Sequence, residues 1–98
     1  MRRPFVVLRA RGPDWDESRS MDEQADWPAH ATFMERLTAE RFVALGGPVE
    51  GTRDALLVIQ ATDCSEVTRR LSTDPWTQNG LLIVKHCWPW DIRLGSLG

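Results

Sequence analysis

The chain has one lysine, no tyrosine, two histidines and two cysteines among its 98 residues. Two cysteines are too few for the disulfide framework of a small secreted protein. With two histidines at these spacings they also fail to complete a four-ligand zinc site, so no metal is expected. Long apolar runs are missing. The stretch after Arg2 and Arg3 spans only Phe5 to Leu8 before Arg9 interrupts it, whereas a signal peptide needs about 7–15 apolar residues and a membrane span about 20. A cytoplasmic protein with reduced thiols and no membrane partner is the expectation. No charge dominates either: 12 basic against 14 acidic residues leave a net charge of −2. That balance argues against nucleic acid as a partner. No phosphate-binding loop, dinucleotide fingerprint or nucleophile elbow is present, and no cofactor is expected.

What remains is an ordinary globular composition, 42% hydrophobic and 27% charged, which fits one domain over residues 1–98. Phe5 to Ala10 reads as a strand, rich in β-branched residues. Residues 11–24 are polar, carry Gly12, Pro13 and several acids, and form a long loop of the kind that often covers a site. Asp26 and Pro28 open a helix that runs to about Arg41. His30, Phe33, Met34 and Leu37 stand at i, i+3, i+4 and i+7, so they share the face that packs on a sheet. Phe42–Leu45 is a second strand, stopped by Gly46-Gly47-Pro48. Ala55–Ala61 is the third, and a helix capped by Asp63 or Ser65 follows it. Asp74-Pro75-Trp76 closes that helix unit, Leu81–Trp90 is the fourth strand, and residues 91–98 form a polar tail. The order β-α-β-β-α-β gives an α+β sandwich of the ferredoxin-like kind.

Two helices cover one face of a four-stranded sheet, and its strands should then alternate apolar with polar residues. Leu56-Leu57-Val58-Ile59 and Leu81-Leu82-Ile83-Val84 do not alternate. A second copy packed sheet to sheet would cover the other face, in an interface of about 1,600 Å² or more. The chain is therefore expected to be a homodimer.

A helix with an early histidine, Leu45-Gly46-Gly47-Pro48, Asp74-Pro75-Trp76 followed by Gly80, and the finish Trp88-Pro89-Trp90 appear in that order. Together they resemble the YCII-related (YciI-like) family over nearly the whole chain. The resemblance implies a ferredoxin-like domain that dimerises through its sheets into an α/β barrel. It also implies a pocket with a His–Asp pair, which maps onto His30 and Asp74.

The residues also have readings of their own. His30 is either a core histidine bonded to backbone or a general acid/base, since imidazole exchanges protons near neutral pH. Asp74 before Pro75 is either a helix cap or the carboxylate that orients the imidazole. Gly46, Gly47 and Pro48 are either a tight strand exit or room for a ligand near the backbone. Trp76, Trp88 and Trp90 are core or interface aromatics, or the walls of a pocket for a flat ring. Arg9 has the parity of Phe5 and Val7, and either binds an anionic substrate or pairs with an acid at the dimer interface. His86 shares a strand face with Val84 and Trp88 and is a candidate for lining the pocket. The leading expectation is a small cofactor-free lyase or isomerase acting on a ring-derived or acidic small molecule. The alternatives are a non-catalytic dimeric module that binds or senses a small ligand, and a dimerisation adaptor without a pocket.

Overall fold

A computed structural model describes residues 1–97. The elements are β1 (Arg3–Arg11), a 3-10 turn (Met21–Glu23), α1 (Trp27–Ala39), β2 (Val43–Pro48), β3 (Asp54–Ala61), α2 (Cys64–Leu71), α3 (Pro75–Gln78) and β4 (Leu82–Pro89). The four strands form an antiparallel sheet in the order β2-β3-β1-β4. This is the ferredoxin-like α+β sandwich. Among the described residues no helix is long and apolar enough to cross a membrane.

Side-chain parity assigns the two faces of the sheet. Phe5 and Val7 on β1 sit opposite Ile59 and Leu57 on β3, and all four are buried with Leu37 of α1 and Val67 and Leu71 of α2. Burying each such side chain stabilises the fold by about 1.5–3 kcal/mol, which holds α1 and α2 on this face. Asp63 caps α2 by accepting the Glu66 N–H at 2.8 Å. Trp76, Leu81 and Leu82 form a second buried cluster, with Trp15 and Trp27 packed against it. The helix-free face carries a row across all four strands, Leu45, Val58, Val6 and Trp88. Leu45 and Trp88 at its ends are exposed.

Several local expectations need correction. Gly46-Gly47-Pro48 does not end the second strand but continues it as the sheet edge, paired with Leu57, Leu56 and Ala55. A Cβ on Gly46 would meet the tip of the Leu57 side chain and crowd the Leu56 carbonyl, so glycine lets the Leu57 side chain lie over the edge strand undisturbed. The first helix stops at Ala39, because the backbone turns left-handed at Arg41. Asp26 stands at the cap position of α1 without a capping hydrogen bond; its carboxylate instead accepts from the Asn79 amide at 2.9 Å. Residues 11–24 are less irregular than their composition implies. The buried Gln24 amide donates to the Asp16 and Arg19 carbonyls and accepts the Asp16 N–H, winding the loop about itself.

The cysteines are not reduced thiols: Cys64 and Cys87 are joined as a disulfide. The physical reason is packing of the start of α2 on β4, which brings the two Cα atoms to 6.0 Å, within the usual range for a crosslink. Thiol labelling of the native protein should find no free cysteine until a reductant is added. Replacing both cysteines with alanine should cost about 3 kcal/mol in chemical denaturation, given the loop the bond closes.

Candidate active site

The site grows from one buried cation. Parity places Arg9 on the helix-covered face beside Val7, and its side chain is almost completely buried. A guanidinium there needs an opposite charge, because desolvating an unpaired ion costs several kcal/mol. Asp74, also fully buried, supplies it at 2.9 Å from Nη1. Thr77 on the next turn accepts from Nη2 at 2.7 Å. Both partners come from the short segment that opens α3, so the Asp-Pro start of that helix brings the counter-charge to the sheet.

Asp74 has two further partners. Its Oδ1 accepts the Trp76 backbone N–H at 2.9 Å and so caps α3. Nδ1 of His30 lies 2.9 Å from Oδ1 and 3.0 Å from Oδ2. The two readings of Asp74, cap and imidazole partner, therefore describe the same carboxylate. Burial pushes the Asp74 pKa up, but the His30 hydrogen bond, the Arg9 charge and the Trp76 N–H outweigh it and hold the carboxyl below its ordinary range. Burial lowers the Arg9 pKa, opposed by the charge and hydrogen bond of Asp74. Because an ionised carboxylate only accepts, His30 donates from Nδ1 and a neutral ring presents its lone pair at Nε2. Nε2 has no hydrogen-bond partner among the described residues. It is not sealed off, since Arg9 Nε is the single buried side-chain nitrogen or oxygen without a partner among the described residues.

Aromatic packing sets the imidazole plane. His30 stacks on Trp76 with ring centres 3.8 Å apart and planes 6° from parallel. Trp27 lies against both rings, and Trp15 meets Trp76 edge-on at 5.4 Å. The buried Trp76 indole N–H donates to the Ala25 carbonyl at 2.7 Å, tying α3 to the entry of α1. Beside this cluster lies a cavity of about 680 Å³, within the size range of small-molecule sites. Its walls include Arg9, Trp15, Trp27 and Trp76, and the β2 edge at 46–48 closes another side.

Of the residues singled out by sequence, the fold brings His30, Asp74, Arg9 and Trp76 together and places Gly46, Gly47 and Pro48 in the cavity wall. His30 and Asp74 stand behind Trp27 and Trp76 rather than in the wall itself. Arg9 does not await an acid at an interface, because its acid is Asp74 of the same chain. His86 does not line this cavity. A bulge at Lys85 breaks the alternation, so Arg9 faces Val84 while Leu8 faces His86. His86 and Trp88 therefore share the helix-free face, where their rings stack at 4.6 Å. Trp88 and Trp90 are exposed and do not line this cavity. The sequence reading missed Trp15, Trp27 and Thr77. A tryptophan alone in a polar, acid-rich loop was the available signal for Trp15, since so large an apolar surface seldom stays in water.

In fold the chain is similar to 5-chloro-2-hydroxyhydroquinone dehydrochlorinase from Burkholderia phenoliruptrix AC1100, whose structure was solved in complex with 2,5-dihydroxybenzoquinone. The two share 24% sequence identity, covering 90% of this chain and 93% of that one, with a TM-score of 0.66. No family model matches the chain, and no curated protein matches it.

Asp74→Asn should separate charge from capping, because asparagine caps as well as aspartate does. Losing the charge opposite buried Arg9 should cost about 3–5 kcal/mol in denaturant melts at neutral pH. The wild-type carboxyl titrates below the unfolded value of about 3.9. Its contribution is thus complete above that pH and lost as the pH falls through the folded value. Thermal melts in this acid window should fall steeply for wild type and more gently for the variant.

Proposed function

We propose that the chain is a YciI-like enzyme without a cofactor, a lyase or isomerase in which His30 moves a proton on a small ring-derived or acidic molecule. The observation that carries this reading is the buried His30–Asp74 contact at 2.9 Å. Asp74 fixes the ring and its tautomer, and the free Nε2 lone pair takes a proton from an acidic O–H or C–H of the substrate. The electron pair left behind forms the new double bond. In an elimination the leaving group departs with its own bonding pair, and in an isomerisation Nε2 returns the proton to a different atom. Asp74 does not take the proton itself, because the His30 hydrogen bond, the Arg9 charge and the Trp76 N–H hold it ionised against burial; it stabilises the imidazolium instead. The similar fold of an enzyme whose substrate is a chlorinated hydroxyhydroquinone supports a ring substrate, as do the tryptophans of the cavity wall.

A second reading is favoured by one observation. His30 and Asp74 lie outside the cavity wall, which fits a module that binds a ring against the wall tryptophans without transforming it. Incubation with 5-chloro-2-hydroxyhydroquinone, followed by chloride release, separates the two. Wild type should release chloride above the uncatalysed rate, and His30→Gln should lower the turnover by about 10²–10⁴-fold. No turnover by wild type, with equal binding of 2,5-dihydroxybenzoquinone by both proteins, would assign the module instead.

The same reading includes a homodimer built sheet to sheet. It is supported by the row of Leu45, Val58, Val6 and Trp88 on the helix-free face and by exposed Ile83, which pairs with Ala10 further along the same face. Light scattering should give twice the chain mass for wild type and a monomer for Trp88→Lys combined with Leu45→Lys. A compact wild-type monomer at micromolar concentration would refute the dimer.

A further inference from the structure

The cavity wall contains three arginines, and only one has its charge matched inside the core. Arg9 faces Asp74. Arg11, at the end of β1, and Arg53, just before β3, are neighbours because the Arg11 N–H donates to the Arg53 carbonyl at 3.1 Å. Both line the cavity, and both reach the same carboxylate, that of Glu17 in the loop between β1 and α1. Arg11 Nη1 donates to one Glu17 oxygen at 3.1 Å, and Arg53 Nη1 bonds the other. Two positive charges thus share one negative charge. Asp54, the only acid in the wall, is engaged with Lys85 at 3.3 Å. The Arg11 guanidinium also lies over the Trp15 ring at 4.9 Å, which orients it.

We propose that Arg11 and Arg53 form a carboxylate subsite at the cavity mouth, that Glu17 is the internal carboxylate seated in it, and that the ligand class is an aromatic ring bearing a carboxylate. This rests on the reading of the cavity as a small-molecule site and adds what the ring must carry. The ring occupies the cavity against the wall formed by Trp15, Trp27 and Trp76, and its carboxylate takes the place of Glu17 on the two guanidinium groups. Displacement costs little. The side chains of Arg11, Glu17 and Arg53 are 34%, 51% and 58% exposed, and ion pairs in such water-rich surroundings are weak. A ligand carboxylate makes the same two charge-assisted hydrogen bonds while its ring leaves water for the tryptophans.

Calorimetry at low salt with 2,5-dihydroxybenzoate and hydroquinone, the same ring with and without the carboxylate, tests this. The carboxylate ring should bind about two- to fivefold more tightly, the size expected for ion pairs at exposed positions. Added salt should erode that preference. Arg53→Gln, at an exposed position outside the His30–Asp74 machinery, should bring the two affinities together. Glu17→Gln should raise affinity for the carboxylate ring and leave hydroquinone unchanged, since it removes the internal competitor. Equal affinity of wild type for both rings would overturn the subsite and leave the ring-binding cavity standing. A preference that survives Arg53→Gln would overturn it too. Failure of both rings to bind would overturn the subsite and the ring-binding reading together.

Discussion

A guanidinium in the helix-covered face of the sheet is the constraint on which the rest depends. Arg9 occupies a position where strand parity calls for an apolar side chain, between Ala55 on one neighbouring strand and Val84 on the other. Burying it unpaired would consume much of the stability of a chain this size. Asp74 must therefore be present, ionised and immobile. Pro75 and the Trp76 N–H immobilise it by starting α3 at that residue, and the same helix presents Trp76 to the His30 ring. The geometry of the His–Asp pair thus follows from an electrostatic requirement of the core.

The arrangement also divides the polar chemistry into two zones. At the inner end Arg9, Asp74 and His30 form a dry network in which the carboxylate is saturated with donors and the imidazole keeps one nitrogen free. At the outer end Arg11, Arg53 and Glu17 form a wet cluster in a loop. Aromatic surface lies between them. Electrostatic interactions are stronger in the dry zone and softened by water in the wet one, so orientation belongs to the first and exchange with solution to the second.

Much of this was legible in the sequence where a single period or a single residue decides. The i, i+3, i+4, i+7 spacing put His30 on the packing face of its helix, and Arg9 shared the parity of Phe5 and Val7. Both placements hold. Asp74-Pro75 was equally legible as a cap, but nothing local says that a cap's oxygens also serve a residue on β1 and another on α1. That is a tertiary fact. The failures have the same origin. Alternation from Val84 put His86 on the pocket side, and only the pairing with β1 reveals the extra residue at Lys85. Gly46-Gly47-Pro48 has the composition of a strand exit yet serves as an edge strand, where a proline is tolerated. Cys64 and Cys87 gave no sign of proximity, because 23 residues of sequence separate them.

The bulge at Lys85 has a consequence for what natural variation this strand can accept. Downstream of it, Cys87 turns inward toward Val7 and meets Cys64, while His86 and Trp88 turn outward. Lys85 is the extra residue, since Val84 pairs with Arg9 and His86 with Leu8, which are neighbours on β1. Its deletion would straighten the strand and leave Val84 inward and His86 outward as they are. A slip that gave Lys85 a regular pairing place would instead turn every later side chain over, burying an imidazole and an indole where a sulfur now packs and breaking the crosslink. Loss of residue 85 is therefore the mild change in this strand, and absorbing it into the ladder the severe one.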